Sequence, residues 1–215
     1  MQESKLFWCT RENLNLDTMQ LIIASTNLHK IRELRSMLKE FSSLDLFSLR
    51  DFPHYIPPEE TGKSFEENAK IKALHAASTL HMNVLADDSG LVIPALGGEP
   101  GIYSSRYAGK EASDAENRDK LINKLKSLPD EKRFGYFECC LVLATPKGIT
   151  KSVSGLCEGE LLCEPRGSYG FGYDSVFLKH DYRKTFAEVD DETKHRISHR
   201  RKAFDKLIPS IHSLF

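Results

Sequence analysis

Two adjacent carboxylates, Asp87 and Asp88, have the clearest potential for chemistry in this sequence, because they directly follow a short apolar run, "NVLA". Neighbouring side chains of a strand point to opposite faces, so the two acids should have different surroundings. An acid at the carboxyl end of a sheet strand lies where α/β proteins bind their ligands. The competing interpretation is that Asp88 caps a turn with Ser89 and Gly90. We favour a functional acid.

A second candidate is "STNLHK", residues 25–30, which joins an apolar run to a helical pattern. Its hydroxyls, its amide and the free N–H groups of a helix N-terminus could bind an anion, and Lys30 adds positive charge. The segment lacks the glycines of a P-loop. Considered alone, it is better explained as an ordinary helix start with Asn27 as the N-cap.

The third candidate is "GFGYD", residues 170–174, which combines glycine with aromatic residues and an acid. Glycine lets a backbone approach a ligand closely, and Phe171 or Tyr173 could offer a flat face to a base. Asp174 could accept a hydrogen bond. A glycine-rich turn with aromatic side chains in the core explains the segment equally well.

The fourth candidate is the basic segment "KHRISHRRKAF", residues 194–204, in a chain whose net charge is only −1. Runs of charge are commonly solvated helix faces. The functional interpretation is recognition of phosphates and base edges, with Ser198 capping a helix N-terminus.

These four segments together describe one kind of site. An anion-binding turn, lysines, an aromatic pocket and carboxylates are what a nucleoside triphosphate with Mg²⁺ requires. Glu59 and Glu60 in a proline-rich loop extend the acidic set, although loop glutamates by themselves are usually solvated. The spacing supports no Ser–His–acid arrangement, and no cysteine has an evident activating partner. Water is therefore the expected nucleophile.

The apolar periodicity predicts strands that alternate with helices. Ser64 with Glu67, and Ser113 with Glu116, form possible capping boxes at two helix starts. Strands are predicted at residues 19–25, 44–49, 83–88, 133–145 and 148–162, with helices at 28–41, 64–80 and 113–128 and another at the C-terminal end. The last two of these strands flank a Pro-Lys-Gly turn and should form a hairpin. The pattern predicts an α/β fold with a mixed sheet.

Composition limits the possible partners. The chain has 215 residues with 30 basic and 31 acidic side chains, which disfavours binding along a nucleic-acid backbone. Five cysteines without zinc-type spacing, and no recognisable signal peptide, favour a reducing cytoplasm. No apolar run is long enough to span a membrane, so no membrane partner is expected. We expect residues 1–18 to be an extension and residues 19–215 to form a single domain.

Six segments carry a resemblance to a known family: "STNLHKIRE", "EETGKSFEENAKIKA", "ADDSGL", "LGGEPGIYSSRYAG", "FGYDSVF" and "KTFAEVDDETKHRISHRRKA". With them, residues 19–213 resemble the inosine triphosphate pyrophosphatase family, which converts deaminated purine nucleoside triphosphates to monophosphate and pyrophosphate. The resemblance implies an elongated mixed sheet with flanking helices, in two lobes around a central groove. It also implies a Mg²⁺ cofactor, preference for ITP, dITP or XTP, and a homodimer.

The resemblance further implies which acids act. Asp88 would accept the proton of the attacking water and would hold Mg²⁺ together with Glu59, with Glu60 as the alternative metal ligand. Strand alternation places Asp87 on the opposite face, where it is expected to be a structural acid or one that supports the site without touching substrate.

Substrate contacts are also implied by the resemblance. The residues concerned are Ser25, Thr26, Asn27, Leu28, His29, Lys30, Lys72, Ser89, Phe171, Gly172, Tyr173, Asp174, Lys194, His199 and Arg200. The first turn and Lys72 would bind phosphates, the "FGYD" residues would frame the base and sugar, and the last three would donate to the 6-oxo edge or to phosphates. The chain departs from the family at Thr26 and His29, where glycine is frequent, and at Ser175, where proline is common.

Two alternatives remain open at this point. One is a related pyrophosphatase for other modified nucleotides. The other is a nucleotide-binding module without turnover, which the intact acidic set disfavours because a pure binder needs no base to activate water.

Overall fold

The computed structural model describes residues 19–213, so the predicted extension 1–18 lies outside the described residues. One mixed sheet has the strand order β2-β1-β3-β4-β5-β6-β7. Its strands are β1 (Met19–Ala24), β2 (Leu44–Ser48), β3 (Asn83–Val92), β4 (Phe134–Thr145), β5 (Gly148–Leu161), β6 (Phe177–Lys179) and β7 (Lys184–Thr185). The α-helices are α1 (Leu28–Leu38), α2 (Phe65–Leu80), α3 (Asp114–Leu125), α4 (Asp191–Ile197) and α5 (His199–His212). The predicted mixed sheet with flanking helices is confirmed.

Strand β1 is parallel to both of its neighbours, β2 and β3. The connections from β1 to β2 and from β2 to β3 therefore cross the sheet in opposite directions. Right-handed crossovers of opposite direction place their helices on opposite faces. Accordingly, α1 packs with α5 in one core cluster, whereas α2 packs in another. Buried alanines on α2, among them Ala69, Ala73 and Ala76, line its sheet-facing side.

The predicted hairpin is present as β4 and β5, which pair from Phe134–Glu160 to Thr145–Gly148. Helix α5 lies directly on this hairpin. A Cβ atom at Gly155 would overlap the backbone of α5 at His199 and Ala203, so glycine is what permits this close approach. The contact holds the first turn of α5, with its polar residues, against the sheet.

The two predicted capping boxes differ in their geometry. Ser113 and Glu116 form the complete reciprocal box at the start of α3. At the start of α2, Ser64 accepts a hydrogen bond from the Glu67 N–H, but the Glu67 carboxylate accepts from the Lys63 N–H instead of from Ser64. The second half of that prediction was wrong because the carboxylate reaches one residue further back along the chain.

The β4–β7 end of the sheet has a core of its own, formed with α3. Its larger side chains include Leu91, Ile93, Leu121, Leu125, Phe137, Phe177 and Phe186. Residues from this end and from the β1–β3 end line one shared cleft. Among residues 19–213, no helix combines the length and apolarity needed to cross a membrane.

Candidate active site

The two aspartates lie within β3 and not at its end. Strand β1 stops at Ala24, which pairs with Ala86, while β3 continues to Val92 along its antiparallel partner β4. The prediction of a strand end, and the alternative of a turn capped by Asp88, were therefore both wrong. The acids nevertheless adjoin the carboxyl end of β1, because β3 runs past it. This is the position at which α/β sheets change strand direction and bind ligands.

Asp87 and Asp88 point to opposite faces of the sheet, as strand alternation predicts. Asp87 accepts hydrogen bonds from Lys30 Nζ at 2.5 Å and from Arg200 Nε at 2.7 Å, on the α1 and α5 side. Asp88 accepts from Lys72 Nζ at 2.7 Å, on the α2 side. Both acids line a cavity of about 360 Å³, and they are only 2% and 7% exposed.

The pKa values of the two carboxyls shift in opposite directions. Burial alone would raise the pKa of Asp87, but the Arg200 and Lys30 cations hold it well below its ordinary value. Burial raises the pKa of Asp88, and the Lys72 ammonium opposes this only in part. In addition, Asp88 Oδ2 is buried without a hydrogen-bond partner among the described residues. Asp88 therefore offers the cleft a free acceptor, whereas Asp87 is fully engaged by protein cations.

The turn after β1 is built around Asn27. Its Oδ1 accepts hydrogen bonds from the N–H groups of His29 at 2.9 Å and Lys30 at 3.2 Å, so it is the N-cap of α1. The Asn27 N–H in turn donates to Ser25 Oγ at 3.1 Å. The N–H groups of Thr26 and Leu28 have no protein acceptor within residues 19–213. Asn27 is therefore the N-cap that the sequence predicts, and the N–H groups of Thr26 and Leu28 remain free at a helix N-terminus, where anions bind.

Lys72 connects Asp88 to the proline-rich loop. Its Nζ atom also donates to Glu60 Oε1 at 3.0 Å, and Glu60 Oε2 accepts from Arg106 Nη1 at 3.0 Å. Glu60 lines the cleft. Glu59 is exposed on the wall of a neighbouring cavity, and its carboxylate has no hydrogen bond or ion pair within the described part of the chain.

The "FGYD" segment is anchored by helix α3. The Gly172 N–H donates to Asp114 Oδ2 at 2.8 Å, and the Gly172 carbonyl accepts from Arg118 Nη1 at 3.0 Å. The Tyr173 ring is buried, and its hydroxyl donates to the Ser104 carbonyl at 2.8 Å. Tyr173 therefore acts as core, and Phe171 is the aromatic residue of this segment with more exposed surface in the cleft.

A buried ionic cluster supports the cleft floor. Arg200 donates to Glu33 through Nη1 and to Ser89 Oγ through Nη2 at 2.9 Å. Lys194 Nζ lies 3.1 Å from Glu33 Oε1 and 2.6 Å from Asp174 Oδ2. Burial would raise the pKa of Glu33, yet the Arg200 and Lys194 cations lower it to about 2. Lys194 and Arg200, which were both predicted to touch substrate, are thus also the structural partners of buried acids.

His199 adds a neutral polar group to the cleft. Its ring stacks on Phe137, with centroids 4.9 Å apart and planes at 16°. Burial, together with the adjacent Arg200 charge, holds the pKa of His199 well below its ordinary value. Its Nδ1 atom has no partner within residues 19–213. The imidazole is therefore neutral at physiological pH and retains hydrogen-bonding capacity.

Sequence reasoning missed several residues that position the cleft, namely Glu33, Asp114, Arg118 and Arg106. A signal was available for Glu33, since it lies between the apolar Ile31 and Leu34 on the buried side of α1. An acid in such a stripe indicates a buried partner.

The cysteine beside Asp87 does not supply a nucleophile to this cleft. Cys139 donates from Sγ to Asp87 Oδ2 at 3.1 Å, and burial raises the pKa of its thiol well above the ordinary value. It is therefore no nucleophile at neutral pH. No group of three or more metal-ligating side chains occurs within residues 19–213. The free donors of the turn, the cationic side chains and the free oxygen of Asp88 together suit a phosphorylated ligand and one activated water.

Comparisons with known proteins agree with this geometry. A sequence model of the Ham1 family matches residues 21–210. The dITP/XTP pyrophosphatase of Protochlamydia amoebophila is 55% identical over 197 residues, 91% of this chain and 99% of that protein. The solved Staphylococcus aureus Ham1 protein matches with a TM-score of 0.81 and 39% identity over 91% of this chain and 100% of that chain. The nucleoside-triphosphatase / dITP/XTP pyrophosphatase of Mycobacterium abscessus matches with a TM-score of 0.73 and 39% identity, covering 89% and 100%.

Proposed function

The chain belongs to the Ham1 family, and from this premise we propose that it hydrolyses deaminated purine nucleoside triphosphates to the monophosphate and pyrophosphate. The relative from P. amoebophila is named for dITP and XTP, which supports this substrate class. The observation that carries the proposal is the free, buried Oδ2 atom of Asp88 beside an anion-binding turn. A base and a phosphate site in one cleft are what phosphoanhydride hydrolysis requires.

In this proposal the triphosphate lies on the first turn of α1. The free N–H groups of Thr26 and Leu28 and the Lys30 ammonium would bind phosphate oxygens. Lys72 adds charge from the opposite side of the cleft. Because these donors are held by backbone geometry and by ion pairs, they need little reorganisation as charge moves during phosphoryl transfer.

Asp88 would act as the base. Water attacks the α-phosphorus, its proton passes to Asp88, and the bond from the α-phosphorus to the bridging oxygen breaks, so that pyrophosphate leaves with that oxygen. Lys72 fixes the carboxylate through Oδ1, which leaves Oδ2 to accept the proton. Burial raises the pKa of Asp88 above its ordinary value, which makes its carboxylate a stronger proton acceptor.

The cleft also fits a magnesium ion. Mg²⁺ prefers oxygen ligands and is usually held by one or two carboxylates together with substrate phosphates. We propose Asp88 as one of those carboxylates and Glu59, which would reach in from the wall of the neighbouring cavity, as the second. Neither Asp88 Oδ2 nor the Glu59 carboxylate has a protein partner within residues 19–213. Asp88 Oδ2 has two lone pairs, so one can face the ion while the other faces the attacking water. Both oxygens of Glu60 are taken by Lys72 and Arg106. When bound, the ion supplies charge neutralisation for the phosphates.

Base selection would depend on Phe171 and on donors deeper in the cleft. Phe171 offers a ring for stacking, while His199 and the remaining N–H groups of Arg200 can face the base edge. Hypoxanthine and xanthine present an acceptor at position 6, where adenine presents a donor. Hydrogen-bond donors in the pocket would face the 6-amino donor of adenine, so neither group would find an acceptor. A site that leaves buried polar groups unpaired binds that nucleotide much more weakly.

A substrate panel tests the function. We expect pyrophosphate release with Mg²⁺ from ITP, dITP and XTP, with kcat/KM for ITP exceeding that for ATP by about 10²-fold or more. Release is measured with a coupled pyrophosphate assay across these nucleotides, GTP and modified pyrimidine triphosphates. No release from any nucleotide would contradict the proposal, and equal values for ITP and ATP would remove the claim of base selection.

Separate glutamine variants of the two loop glutamates test the metal assignment. We expect Glu59→Gln to raise the Mg²⁺ concentration for half-maximal rate by about 10-fold or more. Even the loss of a residue that only supports a metal ligand lowers metal affinity by about 10–100-fold, and Glu59 is proposed as a ligand itself. Glu60→Gln should keep the metal requirement close to that of the wild type. Mn²⁺ binding, followed by electron paramagnetic resonance, gives a readout independent of turnover. The opposite ranking of the two variants would assign Glu60 as the ligand.

Two further parts of the proposal concern the setting of the enzyme. A homodimer is implied by the family resemblance, and sedimentation equilibrium tests it. A cytoplasmic location agrees with the cysteines at 139, 140, 157 and 163, which are free thiols in the described chain.

A further inference from the structure

The imidazole of His29 stacks on the phenyl ring of Phe171. The ring centroids are 4.7 Å apart and the planes are nearly parallel, at 13°. This geometry lies within the range of favourable aromatic pairs. The contact joins the first turn of α1 to the "FGYD" segment, two parts of the chain that both contribute residues to the lining of the cleft.

The stack covers one particular face of Phe171. Phe171 lines the cleft cavity, whereas His29 does not. The histidine therefore contacts the phenyl ring from outside the cavity, while the ring itself borders the cleft. Lys194 Nζ, which also lines the cavity, lies 4.7 Å from the same ring centroid. A base that stacks on Phe171 would therefore approach a ring that already contacts His29 and has the Lys194 ammonium over it.

The backbones on both sides of this stack are well anchored. The His29 N–H donates to Asn27 Oδ1, and the Phe171 N–H donates to Asp174 Oδ2 at 2.8 Å. Gly172 is tied to α3 through both of its backbone groups. The Phe171 side chain is only half-buried, and His29 is exposed. Without the imidazole, the outer face of the ring would be open to water and its rotamer less restricted.

We infer that His29 is a positioning residue that holds the Phe171 ring for base stacking and couples the phosphate-binding turn to the base-binding segment. The inference rests on the proposed function, because it assigns Phe171 to the base of the same substrate. The effect belongs in substrate affinity, since neither ring touches the reacting phosphorus or the water.

Three variants test the inference. We expect His29→Ala to raise KM for ITP by about 3- to 10-fold with little change in kcat, as expected for the loss of one aromatic pair. His29→Phe should restore KM to within about 2-fold, because it keeps the stack without the imidazole. Inhibition by inorganic tripolyphosphate, which has no base, should be unchanged in both. His180→Ala, an exposed histidine between β6 and β7, is the matched control.

A second set of measurements separates this inference from the proposed function. If the wild type releases no pyrophosphate, the proposed function fails, and calorimetry with inosine monophosphate together with NMR of the His29 ring protons still tests the stack. Phe171→Leu should shift those protons, and His29→Ala should add no loss of affinity in that background. The inference would be overturned if His29→Ala left KM and the affinity for inosine monophosphate unchanged, or if His29→Phe failed to restore KM. It would also be overturned if Phe171→Leu did not shift the His29 ring protons, or if the affinity losses of His29→Ala and Phe171→Leu were additive.

Discussion

Replacing Asp88 by asparagine is expected to lower kcat for ITP hydrolysis by about 10²- to 10⁴-fold, the usual contribution of a positioned general base. The amide keeps the size of the side chain and a carbonyl oxygen for Lys72, but it cannot accept the proton of the attacking water. Steady-state pyrophosphate release across a range of ITP and Mg²⁺ concentrations measures the effect. The Mg²⁺ series also reveals any loss that comes from metal binding.

The matched control for this variant is Asp45→Asn, which changes an exposed acid on β2 outside the cleft lining. Its kcat should equal that of the wild type. Asp88→Asn should still bind ITP in calorimetry, because the first turn of α1 is untouched. Near-wild-type turnover in Asp88→Asn at saturating Mg²⁺ would show that another group takes the proton, and the mechanism proposed above would have to be abandoned.

Replacing Asp87 by asparagine is expected to lower the free energy of unfolding by about 3–5 kcal/mol, the range for breaking a buried ion pair on one side. Asp87 is 2% exposed and pairs with Arg200 and Lys30, so its loss leaves the fully buried Arg200 guanidinium with Glu33 as its remaining acidic partner. Asp88→Asn should lower this free energy by a smaller amount, about 1 kcal/mol, because the amide oxygen can still accept from Lys72 and Lys72 keeps Glu60 as an acidic partner. Burial also disfavours the charged form of Asp88, so less is lost when the charge is removed. Urea denaturation at neutral pH measures both variants.

The pH dependence gives the control for this comparison. Folding lowers the pKa of Asp87, so the stability that its carboxylate contributes is present above the unfolded value of about 3.9 and is lost as the pH falls through the folded value. Folding raises the pKa of Asp88, so the advantage of its neutral form exists below about 3.9 and is lost as the pH rises through the folded value. The deficit of Asp87→Asn should therefore shrink in acid. Equal unfolding free energies for the two variants at neutral pH would contradict this account.

Asp87, which is expected to affect stability, and Asp88, which is expected to affect activity, are neighbours in the chain. Their different roles were predictable from strand alternation. Residues 87 and 88 of a strand must face opposite sides of a sheet. The placement of the acids within β3 was not predictable, because the apolar run ends before them. Pairing with β4, a partner far along the chain, is what keeps Asp87 to Val92 extended.

The roles of the cations were harder to predict than those of the acids. Sequence reasoning treated Lys194 and Arg200 as substrate contacts, and the structure shows each also paired with a buried acid. Glu33 was missed because its side chain is neutralised by residues from α4 and α5, more than a hundred positions later in the chain. Tyr173 looked like a base platform, yet its hydroxyl reaches the Ser104 carbonyl and its ring is buried.

The sequence by itself determined the elements whose signals are local. Apolar periodicity, caps and turn residues depend on neighbours within a few positions, so the first three helices, a C-terminal helix, the hairpin and the Asn27 cap were recoverable from it, whereas the separate helix α4 was not predicted. The family was recoverable from its short motifs. Only the tertiary structure decided which charges meet, which carboxylate oxygen stays free and that His29 stacks on Phe171. Those outcomes depend on contacts between segments distant along the chain, and burial then determines the pKa of each group that is brought together.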